Sequence, residues 1–244
     1  MLGFLDALFP RRCAGCAAGP WPFCERCAGE LTSLGPPRCE RCGRPTPGPV
    51  TTCRDCPPVT IASARAPFLY AGPAKAAIRR LKFSGWRAVA AALADAMVTT
   101  GPFEADVVTW VPLARGRLAE RGYDQAKGLA LGVSRGLDLP ARPLLRRIAA
   151  TAPQARRSAE ERRLAMAGAF EALGGATGRV LLVDDVLTTG ATAAACASTL
   201  LASGARSVSL VTAARALTGR ATPGYTRERM GSRSGLWLPE EVPR

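Results

Sequence analysis

Two regimes of hydrophobic patterning divide the chain. Up to about residue 59, apolar residues are few and lie scattered among cysteines and prolines. Beyond residue 60 they gather into runs that alternate with polar, alanine-rich stretches. "TIASARAPFLYAG" predicts one or two short strands. "PAKAAIRRLKFSG" predicts an amphipathic helix starting at Pro73, with Ile78 and Leu81 inward and Gly85 near its end. "WRAVAAALADAMVTT" reads as a second helix. "ADVVTWVPL" then predicts a buried strand, followed by "ARGRLAERGYDQ" as a polar loop and "AKGLALGVSRGL" as a helix. "PLLRRIA" is a short strand, "GRVLLVDDVL" a third and "ARSVSLVTAARAL" a fourth, with the helix "GATAAACASTLLASG" between the last two. Strands alternating with helices imply an α/β fold with a parallel sheet covered on both faces. Ligands in such sheets sit beyond the carboxyl ends of the strands.

Three segments carry less pattern. "MLGFLDALFP" has an apolar face, but it includes Asp6 and lacks a basic leader, so it reads as a short helix of the mature protein rather than a signal peptide. The arginine-laden stretch from Ala149 to Gly168 holds Ser158 and Glu161 at capping-box spacing, which places a short helix there. From about Thr218 the chain loses periodicity and reads as a disordered tail. The expected organisation is a small N-terminal domain over 1–59, an α/β domain over 60–217 and a tail over 218–244. No apolar stretch approaches the ~18 residues of a membrane-spanning helix, so no membrane insertion is expected, and the expected location is the cytoplasm.

Composition sharpens this. Hydrophobic residues make up 48% of the 244, which excludes wholesale disorder. The net charge of +14, mostly arginine, favours anionic partners: nucleic acid or phosphorylated small molecules. Trp21, Phe23, Phe83 and Trp86 are the aromatic candidates for stacking a single strand, or else pack in the core. With no histidine, catalysis cannot use an imidazole base or an imidazole metal ligand. Carboxylates, hydroxyls, arginines, backbone amides and a bound metal remain.

Eight of the nine cysteines form four C-x-x-C pairs before residue 57: Cys13/Cys16, Cys24/Cys27, Cys39/Cys42 and Cys53/Cys56. Two-residue spacing points both thiolates of a knuckle at one ion, and two knuckles complete a tetrahedral zinc site. The intervals are seven residues within the first half, ten within the second and eleven between them. Sequential pairing gives one site from Cys13, Cys16, Cys24 and Cys27 and another from Cys39, Cys42, Cys53 and Cys56; interleaved pairing satisfies the same spacing. Disulfides and iron–sulfur ligation are the competing readings. Four thiolates leave no open coordination position, so this zinc is structural. In so small a segment, metal binding supplies on the order of 10 kcal/mol of folding energy per site.

The chemistry concentrates at "RVLLVDDVLTTGATAAAC". A strand tip delivers Asp184 and Asp185 to the ligand side of the sheet. Thr188, Thr189, Gly190, Ala191 and Thr192 then lead into a helix N-terminus, where amides, hydroxyls and the helix dipole make an anion cup suited to phosphate. Acids beside such a cup fit a sugar phosphate. The turn is neither a Walker loop nor a dinucleotide fingerprint.

"VLLVDDVLTTGAT" resembles the phosphoribosyl-pyrophosphate (PRPP) motif of type I phosphoribosyltransferases. With the doubled knuckles, "LKFSG", "WVPLARGRLAERGYDQAKGLA" and "PQARRSAEERRLAMAGAF", the chain from about Leu2 to Leu217 resembles the ComF family of competence-associated, phosphoribosyltransferase-like proteins. The resemblance implies a type I phosphoribosyltransferase-like sheet behind a double zinc ribbon. It implies that Asp184 and Asp185 meet the ribose hydroxyls of PRPP and that Thr188 to Thr192 cradle its 5-phosphate. It places pyrophosphate against the loop Pro112 to Arg117, with Arg115 and Arg117 as the available charge. A mobile loop carrying Arg162 and Arg163 would close over the site. Mg2+ would accompany PRPP, and phosphoribosyl transfer to an acceptor would be the activity, linked to DNA uptake. The alternative is a non-catalytic module that binds single-stranded DNA or the uptake machinery and retains the pocket. Two positions depart from the family pattern: Asp124 and Ala165 stand where asparagine is frequent.

Overall fold

A computed structural model describes residues 12–148 and 168–217. The expected helix at the start, the capping box at Ser158 and Glu161, and the tail from Thr218 lie outside the described residues. The elements run α1 (Glu25–Glu30), β1 (Ser63–Arg65), β2 (Phe68–Leu69), α2 (Gly72–Phe83), α3 (Val89–Val98), β3 (Val107–Trp110), α4 (Arg115–Arg121), α5 (Gln125–Leu137), β4 (Leu145–Arg147), β5 (Phe170–Ala172), β6 (Arg179–Leu187), α6 (Ala191–Ala202) and β7 (Ser207–Arg215).

The main sheet has the order β1-β7-β6-β3, with β2 also pairing β7, and every pairing in it is parallel. The long strands β6 and β7 lie at its centre and read as near-continuous apolar runs, because helices cover both of their faces. On one face, Leu181, Val183 and Val211 meet Ile78 and Leu81 of α2, Leu93 and Met97 of α3, and Leu129 and Val133 of α5. On the other, Leu182, Leu210 and Val208 meet Cys196, Ala197 and Leu200 of α6. Cys196, the ninth cysteine, is therefore core.

Close packing on the first face has a sequence cause. Gly128, Gly132 and Gly136 recur every four residues on α5 and meet Ala90, Ala94 and Val98, which recur every four on α3. A Cβ at Gly132 would stand 2.4 Å from that of Ala94. Only hydrogen fits there, and the two helices approach backbone to backbone.

Two expectations are corrected. The polar stretch after β3 is a loop only to Ala114, since "RGRLAER" forms α4 and ends at Gly122 in the left-handed region (φ 69). Gly116 to Glu120 are exposed, so no apolar period betrays the helix, while good helix formers and a glycine stop suffice to make one. The strand from "PLLRRIA", β4, leaves the parallel sheet and pairs antiparallel with β5 in a separate two-stranded sheet. The two strands flank the arginine-laden stretch and close its ends against each other.

The fold is thus a mostly parallel sheet flanked by helices, with a small N-terminal cysteine-rich unit. Helix α2 meets that unit through Pro73, against which Gly15 packs. Cys13, Ala14, Phe23 and Cys27 join the α2–α3–α5 core.

Candidate functional site

Strand β6 ends in the acid pair, and alternation along the strand sends the two acids to opposite sides. Asp184 lines a concavity with Thr188, Gly190, Ala191, Thr192 and Thr212 on the α6 side. Gly190 caps α6 in the left-handed region (φ 78), and no side chain caps the helix, so its first amides face the concavity with little internal competition. The one nearby contact, from Ala191 N to Thr189 Oγ1, is a long 3.4 Å. Of the five residues expected to cradle a phosphate, Thr188, Gly190, Ala191 and Thr192 line this concavity with Asp184, while Thr189 is exposed in the same turn and is not part of the lining.

Burial first, and then the adjacent negative charge of Asp185, push the Asp184 carboxyl up to about 8. Its Oδ1 accepts a hydrogen bond from the Asp185 amide at 2.8 Å. Asp185 is itself buried, at 7% exposure, on the α5 side. There its Oδ1 takes the ammonium of Lys82 at 2.7 Å, and its Oδ2 accepts a long bond from Gln125 Nε2 at 3.4 Å. Gln125 Oε1 is buried and has no hydrogen-bond partner among the described residues, and neither does the Tyr123 hydroxyl beside it.

Asp124 has a structural role. Its carboxylate caps α5 by accepting from Lys127 N at 3.1 Å and also receives Leu113 N at 3.4 Å. Asparagine and aspartate serve equally at the cap itself, but only a carboxylate has a second oxygen to accept from Leu113 N. Burial raises its carboxyl.

Of the expected cations, Arg115 and Arg117 open α4, and Arg117 is exposed. Burial first, and then nearby Arg117, disfavour the charge on Arg147 of β4, while Cys196 and Asp184 favour it. Arg147 is thus a cation near the acid pair that sequence reasoning missed. Arg162, Arg163 and Ala165 lie outside the described residues. Among the stacking candidates, Phe23 is core and Trp21 and Trp86 pack against it. Phe83 is 64% exposed, with the Arg121 guanidinium over its ring at 4.8 Å.

The cysteines settle their own pairing. The Sγ atoms of Cys13, Cys16, Cys24 and Cys27 lie within 4.8 Å of one another, as do those of Cys39, Cys42, Cys53 and Cys56. Sequential pairing holds. The contacts run from 3.5 to 3.8 Å: Cys42 to Cys53 at 3.5, Cys39 to Cys56 at 3.6, Cys16 to Cys24 at 3.7 and Cys53 to Cys56 at 3.8. Four thiolates around one zinc stand about 3.8 Å apart at the usual Zn–S length, and a disulfide would bring two to about 2.05 Å. The donor sets fit two tetrahedral zinc ions.

Arginines of the α/β domain grip both ribbons by their knuckle carbonyls. Arg80 of α2 donates to Ala14 O at 2.7 Å and Gly15 O at 2.6 Å. Arg215, buried at the end of β7, donates to Cys42 O at 2.6 Å, and Arg65 of β1 to Arg41 O at 3.3 Å. Pro57, which follows the last cysteine of the second set, abuts Gly190 of the turn before α6.

A parallel α/β sheet with an acid pair and anion cup at its carboxyl edge, carrying two four-cysteine ribbons, defines the class. Residues 4–57 match the double zinc ribbon domain model. DNA utilization protein YhgH of Escherichia coli K12 is 33% identical over 210 residues, which span 79% of this chain and 89% of that protein. Its Salmonella typhimurium counterpart is 30% identical over 213 residues. Competence protein F of Haemophilus influenzae is 30% identical over 185 residues, 70% of this chain and 80% of that one. The chain belongs to the ComF family. Among solved structures, glutamine PRPP amidotransferase from B. subtilis is similar at a TM-score of 0.37 and 23% identity, over 51% of this chain and 26% of that enzyme. The chain thus spans about a quarter of that enzyme's length. No described helix is long and apolar enough to cross a membrane.

Proposed function

We propose that the chain is a phosphoribosyltransferase-like protein that binds PRPP with Mg2+ at the tip of β6. The carrying observation is the juxtaposition of Asp184 with the uncapped α6 N-terminus at Gly190, Asp185 being the next residue at the same strand tip. The cup takes the 5-phosphate, and the acids accept from the ribose hydroxyls. Arg117, with Arg115 in the same turn of chain, supplies charge for the pyrophosphate, and Arg162 and Arg163 are further candidates to meet it. In transfer, the bond from the anomeric carbon to pyrophosphate breaks, its electron pair leaves with pyrophosphate, and a bond to an acceptor nucleophile forms. Mg2+, when bound, neutralises the leaving group. The protein's share is to position the sugar and stabilise the positive charge that develops on it, which needs no histidine. The family's DNA-linked names and the +14 charge support a place in DNA uptake, and the reduced thiolates that zinc requires support a cytoplasmic one.

Calorimetry on the zinc-loaded chain tests this. PRPP with Mg2+ binds the wild type, and Asp185→Asn weakens binding by about tenfold or more, as loss of a charge-assisted bond entails. Absence of PRPP binding by the wild type refutes the proposal.

The same names and charge favour a second reading, a nucleic-acid-binding module that retains the pocket. Salt-dependent binding of single-stranded DNA that survives Asp185→Asn supports it.

A further inference from the structure

Lys82 occupies an unusual place for a lysine. It lies in the last turn of α2, where it could reach into water. Its side chain is instead only 20% exposed, drawn in to the 10%-exposed side chain of Asp185 at 2.7 Å. The turn that carries it is fixed, since Arg80 two residues earlier is held by the carbonyls of Ala14 and Gly15. Asp185 has the ammonium of Lys82 on one oxygen and a long bond from Gln125 on the other. A sugar hydroxyl that takes the acceptor site now held by Lys82 displaces the ammonium. An ammonium carries three N–H donors, and Asp185 is the one partner that Lys82 has among the described residues. Released from Asp185, it stays at the strand tip with donors to offer and a positive charge that burial makes costly to leave unpaired.

We propose that Lys82 is a ligand-exchange residue of the sugar-phosphate site. It holds Asp185 when the site is empty, and it surrenders that carboxylate to the ribose hydroxyls as its ammonium passes to an anionic oxygen of the 1-pyrophosphate. Gln125, with its unpartnered Oε1, is placed to receive a sugar hydroxyl in the same rearrangement. The inference rests on the PRPP reading above and adds to it a cation on α2, at the acid that faces α5. It also assigns the cation a selectivity: the lysine rewards a ligand that brings both a diol and an anion at the anomeric carbon.

The exchange gives two ligands opposite demands on one residue. Titrations use the full zinc-loaded chain with Mg2+, and PRPP and ribose 5-phosphate as probes. Lys82→Met weakens PRPP by about tenfold. It leaves ribose 5-phosphate unchanged or tighter, because that sugar gains no anion contact and no longer has to displace the lysine. Lys82→Arg keeps the charge and recovers most of the PRPP affinity. If Lys82→Met binds PRPP as the wild type does, the inference fails while the PRPP reading stands. If PRPP and ribose 5-phosphate weaken by the same factor, the lysine only props Asp185, and the inference again fails. A wild type that binds neither probe overturns both. Zinc content and melting temperature report whether each variant folds. Should Lys82→Met not fold, the wild type still decides. The chain has three lysines, Lys75, Lys82 and Lys127, so the side-chain nitrogen resonance of Lys82 can be assigned. It shifts with PRPP and not with inorganic phosphate, and no shift with PRPP overturns the exchange.

Discussion

Asp184 and Asp185 are neighbours in the chain but belong to different environments. Asp185 faces a lysine, whereas Asp184 faces the phosphate cup with a carboxyl pushed up to about 8, by burial first and its neighbour second. At neutral pH the empty site therefore holds most of its Asp184 as the acid. A ligand that brings Mg2+ favours the carboxylate and expels that proton. Affinity for PRPP with Mg2+ is then expected to rise with pH from 6 towards 9, by at most about tenfold per unit while the proton is still bound. Asp184→Asn flattens the slope. Calorimetry in buffers of differing ionisation enthalpy counts the proton directly. The acid pair and the threonine–glycine turn were legible in the sequence because chain neighbours form them. Lys82 was not, since 103 residues separate it from Asp185 and only the docking of α2 on the sheet brings them together. Arg147 escaped for the same reason, as β4 leaves the main sheet before its charge can be placed.

At the scale of elements, the contact between α3 and α5 depends on absent side chains. Gly132→Ala puts a methyl group 2.4 Å from the Cβ of Ala94, an atom fixed directly to the α3 backbone with no rotamer to move it aside. Alanine's better helix propensity returns only about 1 kcal/mol, while overpacking a tight core costs about 1–3 kcal/mol. A net loss of melting temperature is expected, and Gly128→Ala, whose added Cβ would meet that of Ala90 at an ordinary contact distance of 3.5 Å, serves as the tolerated control. Thermal unfolding followed by circular dichroism checks both. The same elements show where periodicity fails as a guide. Buried β6 and amphipathic α2 declare themselves because each hides a face. α4 hides none, and only its composition and the glycine after it hint at a helix. β4 and β5 are three residues each, too short for alternation to say whether a strand joins the main sheet or a partner of its own.

At the scale of the molecule, the ribbons are built into the α/β domain. Arg80 and Arg215 donate to carbonyls that are held outward only while the knuckles keep their shape. Zinc removal by a chelator is therefore expected to disorder the ribbons and also to lower the melting temperature of the sheet domain by about 10 °C. This corresponds to a few hydrogen bonds from charged donors, at about 1.5–3 kcal/mol each, in a domain of this size. Calorimetric scanning with and without chelator measures it. Unchanged melting of the sheet domain would show the ribbons to be independent appendages. The cysteine spacing announced the two metal sites and left their pairing open. Their grip on the sheet lay in arginines indistinguishable, as letters, from the rest of a basic composition.

The end of α2 carries two handles. Arg80 holds the first ribbon, and Lys82, half a turn later, holds Asp185. Any event that moves one hand moves the other, and linkage runs equally in both directions. With PRPP as the ligand, its binding tightens the first ribbon's hold on zinc by the same free energy with which zinc improves the hold on PRPP. Such a protein takes the supply of a metal and the supply of an activated sugar as a single joint signal. A cell starved of zinc would silence the sugar site while the sheet beneath it still stood.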